Sequence, residues 1–223
     1  MSISDRIVGW IFSDLSLCIV LPLIFGVLII AFPTVISDFL ATIKISLPSW
    51  LWGGEEVPLQ YIFTIGITQG LLSCGIPIFL GLAWSRWAGG ASGFLLSVLF
   101  TLSMGVYYGM ALNTVDWIGL IVSGMLAGYI AGSLMMRFRM RGSTSLKSML
   151  IASIVPAIVA IIFTTTTYVW YSDMFAPING SVIDGITYSY FIYTVIYGLW
   201  AILAAIVAKV ASWFGIPKMP EYT

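Results

Sequence analysis

Residues 116–141 form the stretch that most constrains how this chain can fold. The stretch begins with an acid and a tryptophan, continues through about 20 uncharged residues, and ends with Arg137, Arg139 and Arg141. At about 1.5 Å per residue, a helix of that length crosses a hydrocarbon core of about 30 Å. The sequence therefore predicts a transmembrane helix whose arginine end faces the cytoplasm.

The composition of the whole chain agrees with a lipid environment. Of its 223 residues, 60% are hydrophobic and only 8% are charged, and the mean hydropathy is +1.06. Soluble domains carry about 25% charged residues, so this chain lacks the polar surface that water requires. We expect an all-α, multi-pass protein of the cell membrane, because helices satisfy their backbone hydrogen bonds internally.

Hydropathy divides the chain into six predicted spans that form a single membrane domain over residues 1–223. An amphipathic pattern also predicts an interfacial helix at about residues 36–45. Three residues separate spans three and four, which predicts a tight antiparallel hairpin. The six spans cover about residues 15–36, 59–84, 91–112, 117–136, 148–171 and 186–214.

Charge alternates between successive loops. With the N-terminus in the cytoplasm, eight basic residues fall on the cytoplasmic side and only Lys44 falls outside. This distribution follows the positive-inside rule, and one span more or fewer would destroy it. The sequence therefore predicts that both termini are cytoplasmic. The basic loop after span four contains Arg137, Arg139, Arg141 and Lys147. We interpret this loop as a topology anchor. It is also compatible with binding anionic lipid head groups or a soluble partner, and least of all with binding a nucleotide.

Small residues recur at every fourth position in spans three and four. This spacing places them on one helix face, where two backbones can approach closely as in a glycine zipper. The same faces are compatible with a pore lining, but close packing is the commoner use of small residues in lipid. The predicted helix-packing residues are Gly93, Gly105, Gly109, Gly124, Gly128 and Gly132.

Neutral polar residues remain at depth in spans two and five. Gln69 and Ser73 share a helix face, and Pro77 beside them is expected to kink span two. Span five contains Pro156 and a run of four threonines that includes Thr165. These groups either bond to neighbouring helices or contact a neutral solute.

Span six carries an aromatic stripe. Tyr190, Tyr193, Tyr197 and Trp200 recur at spacings of three and four residues, which places them on one face of a helix. Such a face can stack against a quinone, a pigment or an acyl chain. More often it packs against another helix or another subunit.

The residue types also argue against catalysis. Histidine is absent, both cysteines lie in hydrophobic segments, and ionisable residues are nearly missing from the spans. Haem and metal sites, proton-coupled carriers and intramembrane hydrolases normally need such groups at depth. We therefore expect no enzyme activity, no cofactor and no bound metal, and the lack of a basic tail argues against nucleic acid as a partner.

Two hypotheses about function remain. The first is a non-catalytic accessory or scaffold subunit of a larger membrane complex, which contacts the lipid bilayer and other membrane subunits. The alternative is a small carrier or channel for a neutral or lipophilic solute, with a path between spans two, five and six. In that alternative, Gln69, Ser73 and the threonines supply hydrogen bonds, and the two prolines supply bends.

Overall fold

A computed structural model describes residues 16, 19–35, 37–46, 56–107, 114–171 and 182–213 of the chain. Nearly all of the described residues are helical, and two short strands form a β-hairpin. The elements in chain order are α1 (Leu21–Val35), α2 (Ser37–Thr42), β1 (Lys44–Ser46), β2 (Glu56–Pro58), α3 (Leu59–Tyr61), the π-helices π1 (Ile62–Gln69) and π2 (Leu71–Gly75), α4 (Ile76–Ala83), α5 (Arg86–Tyr107), α6 (Thr114–Met140), α7 (Leu146–Tyr171) and α8 (Val182–Trp213).

Five helical stretches within the described residues are long and apolar enough to cross a membrane, which is compatible with a multi-pass membrane protein. A sixth, shorter apolar helix covers Leu21–Ala31, inside the first predicted span. The five stretches are Gly66–Ala83, Arg86–Met104, Trp117–Met140, Leu146–Thr167 and Tyr190–Trp213.

Helix α6 lies at the centre of the bundle. It packs against α4 and α5 on one side and against α7 on the other, while α8 covers α7, π2 and α4. Helix α1 packs against α5, where a Cβ added at Gly26 would lie 2.7 Å from the Leu96 side chain. The core between these helices is built from small and medium side chains, chiefly alanine, leucine and serine.

Helices α5 and α6 run antiparallel along a line of close backbone contacts. Gly93 faces Gly124, and one turn further along, Gly89 faces Gly128. The residue number falls on one helix as it rises on the other, which fixes the antiparallel direction. Residues 108–113, which connect the two helices, lie outside the described residues, so the tight hairpin stays a prediction.

The second predicted span changes helix type along its length. Residues in π1 and π2 form wide turns, and the N–H of Ile76 still donates to the Leu71 carbonyl five residues back. The α-helix α4 starts at Ile76 with Pro77 in its first turn, where the missing N–H of proline is tolerated. The structure therefore places a change from π- to α-helix at Pro77, where the sequence predicted a kink.

Helix α5 begins at Arg86, and it includes Gly89 and Gly90, which precede the predicted start of span three at about residue 91. Ser85 caps the helix, because its Oγ accepts a hydrogen bond from the N–H of Ala88 at 3.0 Å. Both glycines lie inside the helix, at a position that α6 approaches closely: a Cβ added at Gly90 would lie 3.3 Å from the Cβ of Tyr129.

The predicted interfacial helix is shorter than expected. Helix α2 ends at Thr42, and the next residues form strand β1, which pairs antiparallel with β2 so that Lys44 lies opposite Pro58 and Ser46 opposite Glu56. The N–H of Leu59 donates to the Ile43 carbonyl at 2.8 Å and extends this pairing. In the strand pair, the backbone N–H and C=O groups bond to a strand ten or more residues away in the sequence. Helical periodicity does not reveal such a pairing.

Candidate functional site

Neutral polar side chains from four helical segments meet in the interior of the bundle. Nε2 of Gln69 in π1 lies 3.5 Å from the hydroxyl of Tyr193 and 3.5 Å from that of Tyr197, and donates to both. All the side chains of this group are buried. We call the group the polar cluster, and its members are Gln69, Ser123, Thr164, Tyr193 and Tyr197.

The polar cluster continues from α8 through α7 to α6. The side chain of Thr164 lies near that of Tyr197, and its Oγ1 donates to Oγ of Ser123 at 3.0 Å. At 1.5 Å per residue, Tyr197 lies about 22 Å from the start of α8 and about 24 Å from its end. The cluster therefore lies deep in the bundle, away from the helix ends.

The π-helical segment is held against α8 by Trp200. Its indole Nε1 donates to the Gly66 carbonyl at 2.8 Å. A Cβ added at Gly70 would lie 2.5 Å from Cδ1 of Trp200, so the close approach requires glycine at this position. This packing places Gln69 against the tyrosines of α8.

The aromatic stripe of α8 faces other helices of the same chain. The Tyr193 and Tyr197 rings meet edge to face with centroids 5.6 Å apart. Tyr190 pairs with Thr166 on α7, with 3.2 Å between the hydroxyl and Oγ1. Together with the Trp200 bond to π1, these contacts direct the stripe into the bundle.

Three other residues singled out from the sequence lie apart from the polar cluster. Ser73 accepts a hydrogen bond from Ser97 on α5, with 3.4 Å between the two Oγ atoms. Pro156 is buried inside α7. Thr165 is buried and its Oγ1 has no hydrogen-bond partner among the described residues, as is also true of Thr68.

Sequence reasoning selected Thr165 from the threonine run, but the residue in the cluster is its neighbour Thr164. Adjacent residues on a helix point about 100° apart, so a run of four threonines does not reveal which one meets a partner.

Helices α4, α5 and α6 meet at three glycines. A Cβ added at Gly89 would lie 2.5 Å from the Gly128 carbonyl oxygen and 2.8 Å from the Cα of Gly81. Gly81 and Gly89 were missed in the sequence, although Gly89, Gly93 and Ser97 are spaced by four. Because the predicted span three starts at about residue 91, Gly89 falls outside it and the repeat is not recognised.

The remaining glycines of the predicted set divide into two groups. A Cβ at Gly93 would overlap the Gly124 carbonyl, and one at Gly132 would overlap the Arg86 backbone. The surroundings of Gly105 and Gly109 lie outside what the structure describes, so no contact is assigned to them.

The basic residues after α6 are placed at one end of the bundle. Nη2 of Arg139 donates to the Leu82 carbonyl at 2.8 Å, at the end of α4. The side chains of Arg137, Arg141 and Lys147 are exposed around the turn that leads to α7.

The polar cluster can hold a neutral hydrogen-bonding group, because amides and hydroxyls both donate and accept. Its members carry no charge near neutral pH. Within the part of the chain that the structure describes, no group of three His, Cys, Asp or Glu residues could hold a metal ion.

No family model, no curated protein and no solved structure matches the chain. A function for the protein therefore follows from its own residues and not from a relative.

Proposed function

We propose that the protein is a non-catalytic accessory or scaffold subunit of a larger complex in the cell membrane. In this proposal the chain crosses the membrane six times, with the first crossing at residues 15–36 and both termini in the cytoplasm. The observation that carries the proposal is the internal pairing of the polar cluster: Gln69 of π1 bonds to the two tyrosines of α8, and Thr164 of α7 bonds to Ser123 of α6. Such pairing is typical of a structural interior.

The distribution of charge supports the proposed orientation. Arg139 bonds to the end of α4, and Nζ of Lys209 in α8 donates to the Thr144 carbonyl at 3.1 Å, so basic residues from several helices share one end. At the other end of the bundle, Lys44 is paired with Glu56. The end rich in unpaired cations is the one that the positive-inside rule assigns to the cytoplasm.

Helices α7 and α8 supply the proposed partner face. Of the five candidate spans, Tyr190–Trp213 is the least covered by the described part of the chain, which buries only 33% of it. Aliphatic side chains at helical spacing form the uncovered surface of both helices, and a partner helix can pack on it. The exposed residues are Ile151, Ile154, Val155, Ile158 and Ile162 on α7, and Leu199, Ile202, Leu203, Ile206, Val207 and Val210 on α8.

Site-specific photocrosslinking in native membranes tests this proposal. A photoreactive residue in place of Leu203, which is 45% exposed on α8, is expected to give a protein adduct of one defined mass. Phe94 on α5 is 46% exposed and provides a matched control position, expected to react with lipid only. A protein adduct at Phe94 instead would contradict the assigned face, and a monomer without adducts at any spanning position would contradict the subunit role.

A carrier or channel for a neutral solute is the second candidate, and the π-helical segment favours it. π-Helical turns are rare and frequently lie at functional sites. Here they carry Gln69, whose two bonds are long at 3.5 Å, and Thr68, whose buried hydroxyl has no partner in the described part of the chain. A solute with hydroxyl or amide groups would replace the weak bonds of Gln69.

Solute uptake into proteoliposomes tests the second candidate. If the protein conducts neutral solutes, stopped-flow light scattering with glycerol and urea should show faster entry than in empty liposomes, and Gln69→Leu should abolish the difference. Ser153→Ala is the control, because the described hydrogen bond of Ser153 is to the Leu150 carbonyl of its own helix. Equal rates with and without the protein would exclude conduction of these two solutes.

A further inference from the structure

The basic end of the bundle is built around an ordered turn between α6 and α7. Gly142 has a φ of +70°, and the N–H of Ser143 donates to the Phe138 carbonyl at 2.9 Å, which closes the end of α6. Ser145 then caps α7 by accepting from the N–H of Ser148 at 3.3 Å. Basic residues on both sides of this turn are therefore held in fixed relative positions.

Three cations at this end are used to hold the protein together. Arg139 donates to the last carbonyls of α4, and Lys209 donates to the Thr144 carbonyl. The Arg86 guanidinium lies 5.7 Å from the Trp87 ring centroid and 5.9 Å from that of Tyr129, within cation–π range.

Three other cations have no partner among the described residues. Arg137, Arg141 and Lys147 are all exposed, and no described acid lies at this end. Large apolar side chains are exposed beside them: Met140 and Trp213 are each 72% exposed. Water alone would leave this combination poorly accommodated, since the apolar groups need an apolar medium while the cations need anions.

We propose that Arg137, Arg141 and Lys147 bind the head groups of anionic phospholipids. The cations contact the phosphates, and the neighbouring apolar side chains enter the acyl region below them. A membrane surface fits this arrangement better than an acidic protein segment, because the unpaired cations lie at the ends of the spanning helices, at head-group level. The proposal needs only a membrane location, so its failure would leave the subunit role untouched.

Spin-labelled lipids measure this preference directly. The protein is reconstituted in phosphatidylcholine, and electron paramagnetic resonance compares the motionally restricted fractions of spin-labelled phosphatidylglycerol and phosphatidylcholine. We expect an approximately fivefold preference for the anionic lipid, since one basic residue near a head group contributes about that factor. Arg137→Gln/Arg141→Gln/Lys147→Gln should reduce it to under about twofold, and salt should weaken it in the wild type.

Lys44→Gln is the matched control, because it removes one cation from the opposite end of the bundle. The Lys44→Gln variant should retain the full preference for the anionic lipid. The triple variant should unfold at the wild-type temperature, because the three replaced side chains have no described partner. An unchanged preference in the triple variant, or an equal loss in Lys44→Gln, would overturn the proposal. A wild type without any preference would also overturn it and would leave an acidic protein segment as the remaining counterpart.

Discussion

At the scale of single residues, glycine decides how closely the central helices approach. At Gly89, Gly93 and Gly128, where α5 meets α6, an added Cβ would overlap a backbone atom of the facing helix. Backbone atoms cannot move aside as a flexible side chain can, so these positions differ from glycines that face open space. Gly198 on α8 is such an open position, with no described atom within 4 Å of an added Cβ.

Gly93→Ala is expected to destabilise the protein, because the added methyl overlaps the Gly124 carbonyl and forces the two helices apart. The free energy of unfolding should fall by about 1–3 kcal/mol, the usual cost of overpacking. Gly198→Ala is the control and should be neutral or stabilising by up to about 1 kcal/mol, because alanine favours a helix. Unfolding in mild detergent measures both, and equal stability of the two variants would contradict the packing role of Gly93.

At the scale of elements, α4 depends on another helix to complete its end. Its last carbonyls have no partner within the helix, and Arg139 of α6 supplies one. The sequence assigned Arg139 to the same anchoring set as Arg137 and Arg141, because all three occur in one basic run. Alternate residues on a helix point in different directions, so only the middle arginine reaches α4.

Arg139→Gln is expected to lower the free energy of unfolding by about 1.5 kcal/mol. This value is at the lower end of the contribution of a hydrogen bond to a charged group, because the Arg139 side chain is partly exposed. Arg137→Gln removes the same charge from an exposed position and should change stability by less than about 0.5 kcal/mol. Chemical unfolding in a non-ionic detergent compares them. Equal losses would mean that charge, and not the cap on α4, accounts for the effect.

The ion pair of the β-hairpin is expected to contribute little. Nζ of Lys44 and Oε2 of Glu56 are 3.8 Å apart, and both side chains are 60% exposed, so water screens the attraction. Glu56→Gln should change the free energy of unfolding by less than about 0.5 kcal/mol at low salt. A loss of more than about 1 kcal/mol in the free energy of unfolding would contradict this expectation and would show that the ion pair stabilises the hairpin.

At the scale of the whole molecule, the number of crossings and the sidedness of the loops are predictions from charge and hydropathy together. Five described stretches can span a membrane, and the short helix α1 belongs to the region where a sixth is proposed. With five crossings the termini would lie on opposite sides, and with six they share one side. The location of the N-terminus therefore decides between the two counts.

Cysteine labelling in intact cells tests the topology. In a Cys18→Ala/Cys74→Ala background, an impermeant maleimide should label Ser46→Cys in intact cells, and Ser143→Cys only after lysis. Ser2→Cys should also need lysis if there are six crossings. Labelling of Ser2→Cys in intact cells, with the other two as expected, would establish five crossings instead.

The sequence alone determined the helical class and most helix positions, and it predicts a membrane environment with which the five long apolar helical stretches are compatible. These follow from hydropathy and from residue spacing, which are properties of each segment by itself. The predicted second, fourth, fifth and sixth spans lie close to helical stretches of the structure. Helix α5 corresponds to the predicted third span and begins five residues before the predicted start. The β-hairpin was missed because its strands pair across a loop.

Only the tertiary structure decided which residues meet. The sequence named Gln69, the threonine run and the tyrosines of α8 as separate features, and the fold brings Gln69, Thr164 and Tyr197 together. It likewise separates Arg139, which bonds to α4, from Arg137 and Arg141, which remain unpaired. Contacts between helices depend on their relative depth and rotation, and neither is encoded in the periodicity of one helix.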